Sequence, residues 1–185
     1  MKSFIVSLAL VLAWADRARS QDEPWPPVRF KHVVAYCYDF EQGGGDAGIV
    51  DSNGRHHRGV IAPFTRNLLP SKHPKLIELL KPIKAPIPED VDCFEPHHGL
   101  VFYDEHWKPV ASVDLCFACS SFVSRPARAG VSIDYDALEA FFASLGIPVG
   151  DEVDYTKLFR QHQHPAAGIP ESETSGGSSA DPFGD

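Results

Sequence analysis

Basic side chains are scarce. Lysine and arginine number 17 against 25 aspartates and glutamates, which leaves the 185-residue chain at −8 with its histidines neutral. So acidic a protein repels the phosphates of nucleic acid and anionic lipid, and neither is expected as a partner. Long apolar runs are missing as well. The longest, residues 4–14, is about 11 residues, whereas a membrane-spanning helix takes about 20, so no membrane span is expected. Catalytic signatures are lacking in turn: there is no G-x-S-x-G and no H-E-x-x-H, which removes support for a serine hydrolase or a zincin. The run Gly43-Gly44-Gly45 is followed by no Lys-Ser or Lys-Thr and opens no helix, so it is not a phosphate loop. Cysteine is limited to four: Cys37, Cys93, Cys116 and Cys119.

What the chain does have begins with an export signal. Lys2 is the basic start, residues 4–14 the apolar core, and Ala13-Trp14-Ala15 a small-x-small cleavage site before Asp16. Ala18-Arg19-Ser20 offers a second site before Gln21. No cysteine lies near the cut to take a bacterial lipid anchor, so the expected product is soluble and exported, periplasmic or extracellular. Loss of residues 1–20 removes Lys2, Arg17 and Arg19 against Asp16, taking the charge from −8 to −10. All four cysteines remain, and an even count in an oxidising compartment favours disulfides. Residues 165–185 are acidic and rich in Gly, Ser and Pro with one aromatic, the composition of a disordered tail. Residues 21–164 are then a single domain.

Within that domain, residues 28–38 alternate, with Val28, Phe30, His32, Val34, Tyr36 and Tyr38 on one face, as a half-buried strand does. Residues 48–62 suggest a hairpin turning at Asn53-Gly54. A helix is expected around 74–80 with Leu76, Leu79 and Leu80 inward, and Pro82, Pro86 and Pro88 make 81–92 an extended connector. The central hairpin pairs 100–103 with 110–115 about the polar connector 104–108, and residues 120–130 look irregular. The clearest helix is 134–145, capped by Asp134 or Asp136, with Leu138, Phe141, Phe142 and Leu145 as its stripe and Gly146 at its end. A second, 154–162, carries Tyr155, Leu158 and Phe159. The expected class is α+β: a small antiparallel sheet built on β-hairpins with two or three helices packed on one side.

The chemistry gathers at one end of the central hairpin. Folding residues 93–119 about His106 brings Cys93 towards Cys116 and Cys119, with His97 and His98 on the way. The same fold sets His98 across from Asp114, a carboxylate beside a ligating histidine. Cys93, His97, His98, Cys116 and Cys119 have the softness and number for zinc or copper. Against that, exported thiols oxidise, and Cys93 bonded to Cys116 or Cys119 closes a loop of about 25 residues worth on the order of 3 kcal/mol. Cys37 is the partner for a second disulfide, or a buried free thiol. A working dithiol is the third possibility for Cys116-Phe-Ala-Cys119, although the Ser-Ser-Phe-Val that follows is no helix to lower a thiol pKa. Ser120 after Cys119 excludes a c-type haem site, and no His-x-Glu exists for a zinc deaminase. His56-His57 beside the turn suggests a solvated edge, and His162-Gln-His164 a weak metal pair at most.

The segment Cys93-Phe-Glu-Pro-His-His-Gly-Leu-Val-Phe-Tyr-Asp, with Lys-Pro-Val-Ala and Cys-Phe-Ala-Cys after it, resembles a group of exported bacterial proteins of unassigned activity. Those proteins share a similar hairpin and C-F-x-C ending, over about a quarter of the chain. The resemblance implies that the hairpin is one unit and carries no activity over. The expected function is therefore a non-enzymatic exported domain with a structural Cys/His cluster and no cofactor. The alternatives are a zinc or copper module and a thiol–disulfide oxidoreductase using Cys116 and Cys119.

Overall fold

The computed structural model describes residues 25–26, 29–43, 48–83, 94–128 and 131–163. The expected signal segment and disordered 165–185 tail, Cys93, His164 and all of the expected 81–92 connector beyond Ile83 lie outside the described residues.

The central hairpin forms where alternation places it. Strand β3 (His98–Tyr103) and strand β4 (Pro109–Cys116) run antiparallel either side of 104–108. The Asp104 carboxylate closes that turn, accepting the N–H groups of His106 and Lys108 at 2.8 and 3.0 Å. β1 (His32–Cys37) pairs with the free side of β3 and β5 (Ser121–Arg125) with that of β4. A two-residue β2 (Arg66–Asn67) completes a five-stranded antiparallel sheet in the order β2-β1-β3-β4-β5. β5 occupies the stretch expected to be irregular. Its Ser-Ser opening and Arg125-Pro126 ending hide the strand, and the ladder to β4 supplies what side-chain alternation does not.

Helices α1 (His73–Leu79), α2 (Tyr135–Ser144) and α3 (Tyr155–Gln163) feed one core on one face of the sheet. Asp134 caps α2 by accepting the Ala137 N–H at 3.0 Å, and Gly146 ends it at φ 71°. Leu138, Phe141 and Phe142 turn inward as the stripe requires. They meet Val33, Ala35, Leu100, Phe102, Val113 and Leu115 from alternate positions of three strands. The fold is α+β, and no helix among the described residues is long and apolar enough to cross a membrane.

Two expectations change. β1 is buried on both faces, not one: Val33, Ala35 and Cys37 face the helices, while Val34, Tyr36 and Tyr38 join Ile49, Val50, Val101 and Tyr103 in a smaller cluster. The cover on that second side is residues 48–60, which turn at Asn53-Gly54 with Gly54 at φ 77°, bridge internally from Val50 to His56 and bridge to the sheet from Val60 to Tyr38. The second change is register. Near the turn Tyr103 faces Pro109, but an irregularity between Phe102 and Tyr103 advances every later pair by one residue, so His98 faces Leu115. Asp114 faces Gly99, and because side chains alternate, that single step puts Asp114 on the face away from His98. The expected His98–Asp114 pair does not form.

Candidate functional site at the base of the hairpin

β4 ends at Cys116 and β5 opens at Ser121, its partner across the ladder. The turn between them is tight, with Ser120 in the left-handed region at φ 45°. It carries Cys119 back to Cys116, 5.6 Å between Cα atoms, and the two are joined as a disulfide. The sulfurs that sequence reasoning offered to Cys93 are thus bonded to each other, because the hairpin turn already holds them together. The Ser121 hydroxyl lies 3.0 Å from the Cys119 sulfur. Cys37 is a free, buried thiol, and burial pushes its pKa up to about 12, so it behaves as a small hydrophobe.

The histidine pair straddles the sheet end. His98 is buried among Phe117, Phe142 and Tyr155, and its Nε2–H donates to the Pro148 carbonyl at 2.7 Å. Burial pushes His98 down to about 4, with the carbonyl pulling back up and His97 adding to the fall. His97 lies flat on Tyr155, ring centres 4.0 Å apart, and its Nδ1–H donates to the Tyr38 carbonyl at 3.2 Å. Burial lowers its pKa too, opposed by that carbonyl and by Asp39, Glu95 and Glu41. Both rings are neutral near pH 7. With Phe117, Tyr155 and Glu95 they line a cavity of about 230 Å³ beside the disulfide turn.

Of the residues expected to gather, the structure brings His97, His98, Cys116 and Cys119 to one end of the sheet. Cys93 lies outside the described residues. Among the described residues no group of three His, Cys, Asp or Glu side chains is placed to hold a metal ion. A turn and then a strand, not a helix, follow Cys119 along the chain.

A second polar cluster, on the sheet face away from the helices, was not foreseen. Asp114 is buried there, its Oδ1 accepting the Tyr38 hydroxyl at 2.9 Å and the Ile49 N–H at 2.6 Å. Burial raises its pKa, opposed by those two donors and by Arg125. The Tyr36 and Tyr103 hydroxyls are 2.6 Å apart, and His56 Nε2 lies 2.7 Å from Tyr103 and 3.1 Å from Tyr36. His57, expected at a solvated edge, is buried against the Tyr38 ring, and its Nδ1 accepts the Gly59 N–H at 3.0 Å. The signal was present in β1, where Val33 to Cys37 run without a polar residue, the mark of a strand covered on both sides. His162 at the end of α3 is exposed and meets the edge of Phe64. No family model matches this chain, and neither does any curated protein or solved structure.

Proposed function

We propose that the chain is an exported, non-enzymatic domain whose Cys/His cluster serves the fold rather than a reaction. The observation that carries this is the use of the histidine pair. Each ring gives an N–H to a main-chain carbonyl elsewhere in the chain, and both rings pack on Tyr155 of α3. Together they tie the start of β3 to the end of β1, to the segment after α2 and to α3. A buried imidazole held down to about 4 is a poor general base at neutral pH. The disulfide fits the same role on a small scale. Closing a loop of about four residues stabilises by on the order of 2 kcal/mol, against about 3 for the longer closure from Cys93. It fastens a turn and does not staple the domain.

Thermal melts of the Cys116→Ala/Cys119→Ala double variant test this. The expected loss is about 2 kcal/mol or less, equalled by reductant on the wild type and untouched by chelator. Chelator-sensitive melting of the wild type would favour the zinc or copper alternative, with Cys93, His97 or His98, Cys116 and Cys119 as ligands. A second proposal, thiol–disulfide exchange at Cys116 and Cys119, is favoured by one observation: these two sulfurs are bonded to each other, with Cys119 only half-buried. Catalysed reduction of a disulfide substrate by the wild type, lost in the double variant, would establish it.

A further inference from the structure

His57 sits under residues 48–60, the segment that covers the second face of the sheet, and is 6% exposed. Its Nδ1 takes a hydrogen bond from the N–H of Gly59, two residues on. That is the geometry in which an Asn or Asp side-chain oxygen closes a turn, with an imidazole lone pair doing the accepting. The bond fixes the tautomer: Nδ1 carries the lone pair, so the single proton of the neutral ring is on Nε2. His57 Nε2 has no partner, and it lies so close to Gly43 that a Cβ there would come within 1.9 Å. The neutral ring therefore fits this turn, and the imidazolium does not. A proton added at Nδ1 points at the Gly59 N–H, donor against donor, and leaves a buried cation with neither nitrogen accepted.

The charged groups around His57 are few. Asp39, at the end of β1, draws its pKa up, but its carboxylate is already held by the Glu41 N–H and the Gln42 side chain, and burial wins. Just past β1 it meets the ring of Tyr38, whose hydroxyl is committed to Asp114 of β4. Arg125 of β5 is spent on the Val50 carbonyl, Arg55 on Asp51, and His56 and Arg58 are exposed. Among the described groups, burial and Asp39 alone bear on the His57 titration. Asp114 behaves differently on acidification. Both of its hydrogen bonds end on Oδ1, so a proton on Oδ2 leaves both in place and costs only the attraction to Arg125.

We infer that residues 48–60 form a proton-operated cover, latched by the His57 Nδ1 to Gly59 N–H bond and released when His57 is protonated, uncovering Tyr38 and Asp114. The sign follows from linkage: the closed state excludes the proton, so closure is complete well above the ordinary histidine value and weakens as pH falls below it.

Amide hydrogen exchange on the intact protein between about pH 7.5 and about pH 5 tests the latch. After correction for intrinsic exchange, the amides of Ile49, His57 and Gly59, and that of Asp39, which donates to the Gly59 carbonyl, should lose protection. The loss should steepen towards about tenfold per pH unit, one proton's worth. Leu100 and Phe102 amides in β3 should hold. His57→Asn keeps an acceptor for the Gly59 N–H and cannot titrate, so its cover should stay protected throughout. Equal loss in His57→Asn, or none in the wild type, overturns the inference. Imidazole nitrogen shifts of the wild type give a check free of any variant: His57 must titrate together with the Gly59 amide, and titration of one without the other is equally fatal.

Discussion

Glutamine in place of His98 separates what the imidazole does as a spacer from what it does as a titrating group. In His98→Gln the side-chain amide can still donate to the Pro148 carbonyl but carries no proton equilibrium. In the folded wild type burial holds His98 down to about 4, below its ordinary 6.5. Unfolding restores the ordinary value, so between those limits the unfolded chain binds more protons than the folded one. The stability due to this group is complete above about pH 6.5 and drains away as pH falls towards about 4. At about 1.4 kcal/mol per pKa unit, the loss by pH 4 is about 3 kcal/mol, a large share of a domain's usual 5–15 kcal/mol. With a urea m-value of about 2 kcal/mol/M, the wild-type midpoint should drop about 1.5 M further than that of His98→Gln. His56, His57 and His97 are lowered as well, but both proteins share them, so the difference isolates residue 98. The assay is urea unfolding of the two proteins at half-unit pH steps. Parallel curves would refute the placement of a neutral His98 in the core.

Two further outcomes follow from packing. Phe142→Ala, at a fully buried position of α2, should cost about 3–5 kcal/mol in urea unfolding, and Ala140→Ser on the exposed side of the helix within about 0.5. Gly99→Ala should cost about 1–3 kcal/mol, because its Cβ would come within 2.9 Å of the Ile49 Cβ where the cover presses on β3. Little loss there would mean that residues 48–60 sit more loosely on the sheet than described.

Local chemistry made the central hairpin and the helices legible. Asp104 to Lys108 is a polar break between β-branched and aromatic runs, and Asp134, the 138/141/142 stripe and Gly146 spell out one helix with both its ends. Tertiary context decided what was missed. β5 has no apolar alternation and exists because β4 offers it a ladder. The slip between Phe102 and Tyr103 leaves no mark in composition, yet it moves Asp114 from the histidine pair to Tyr38 on the other face. His56-His57 looked solvated because the Asn53-Gly54 turn beside them is. Only the unbroken apolar run of β1 hinted that a second layer covers that side. For the cysteines, spacing placed Cys116 and Cys119 at the hairpin end but not in a turn tight enough to join them to each other.

The cysteine and histidine cluster is tested most directly by the intact mass of the native protein, purified without reductant or chelator, together with its metal content and a peptide map. The expected result is a two-hydrogen deficit that maps to the peptide holding Cys116 and Cys119, a Cys37 thiol that alkylates only after unfolding, and no stoichiometric metal. Free thiols at Cys116 and Cys119 with about one equivalent of zinc or copper, the stoichiometry of a tetrahedral Cys/His site, would contradict it.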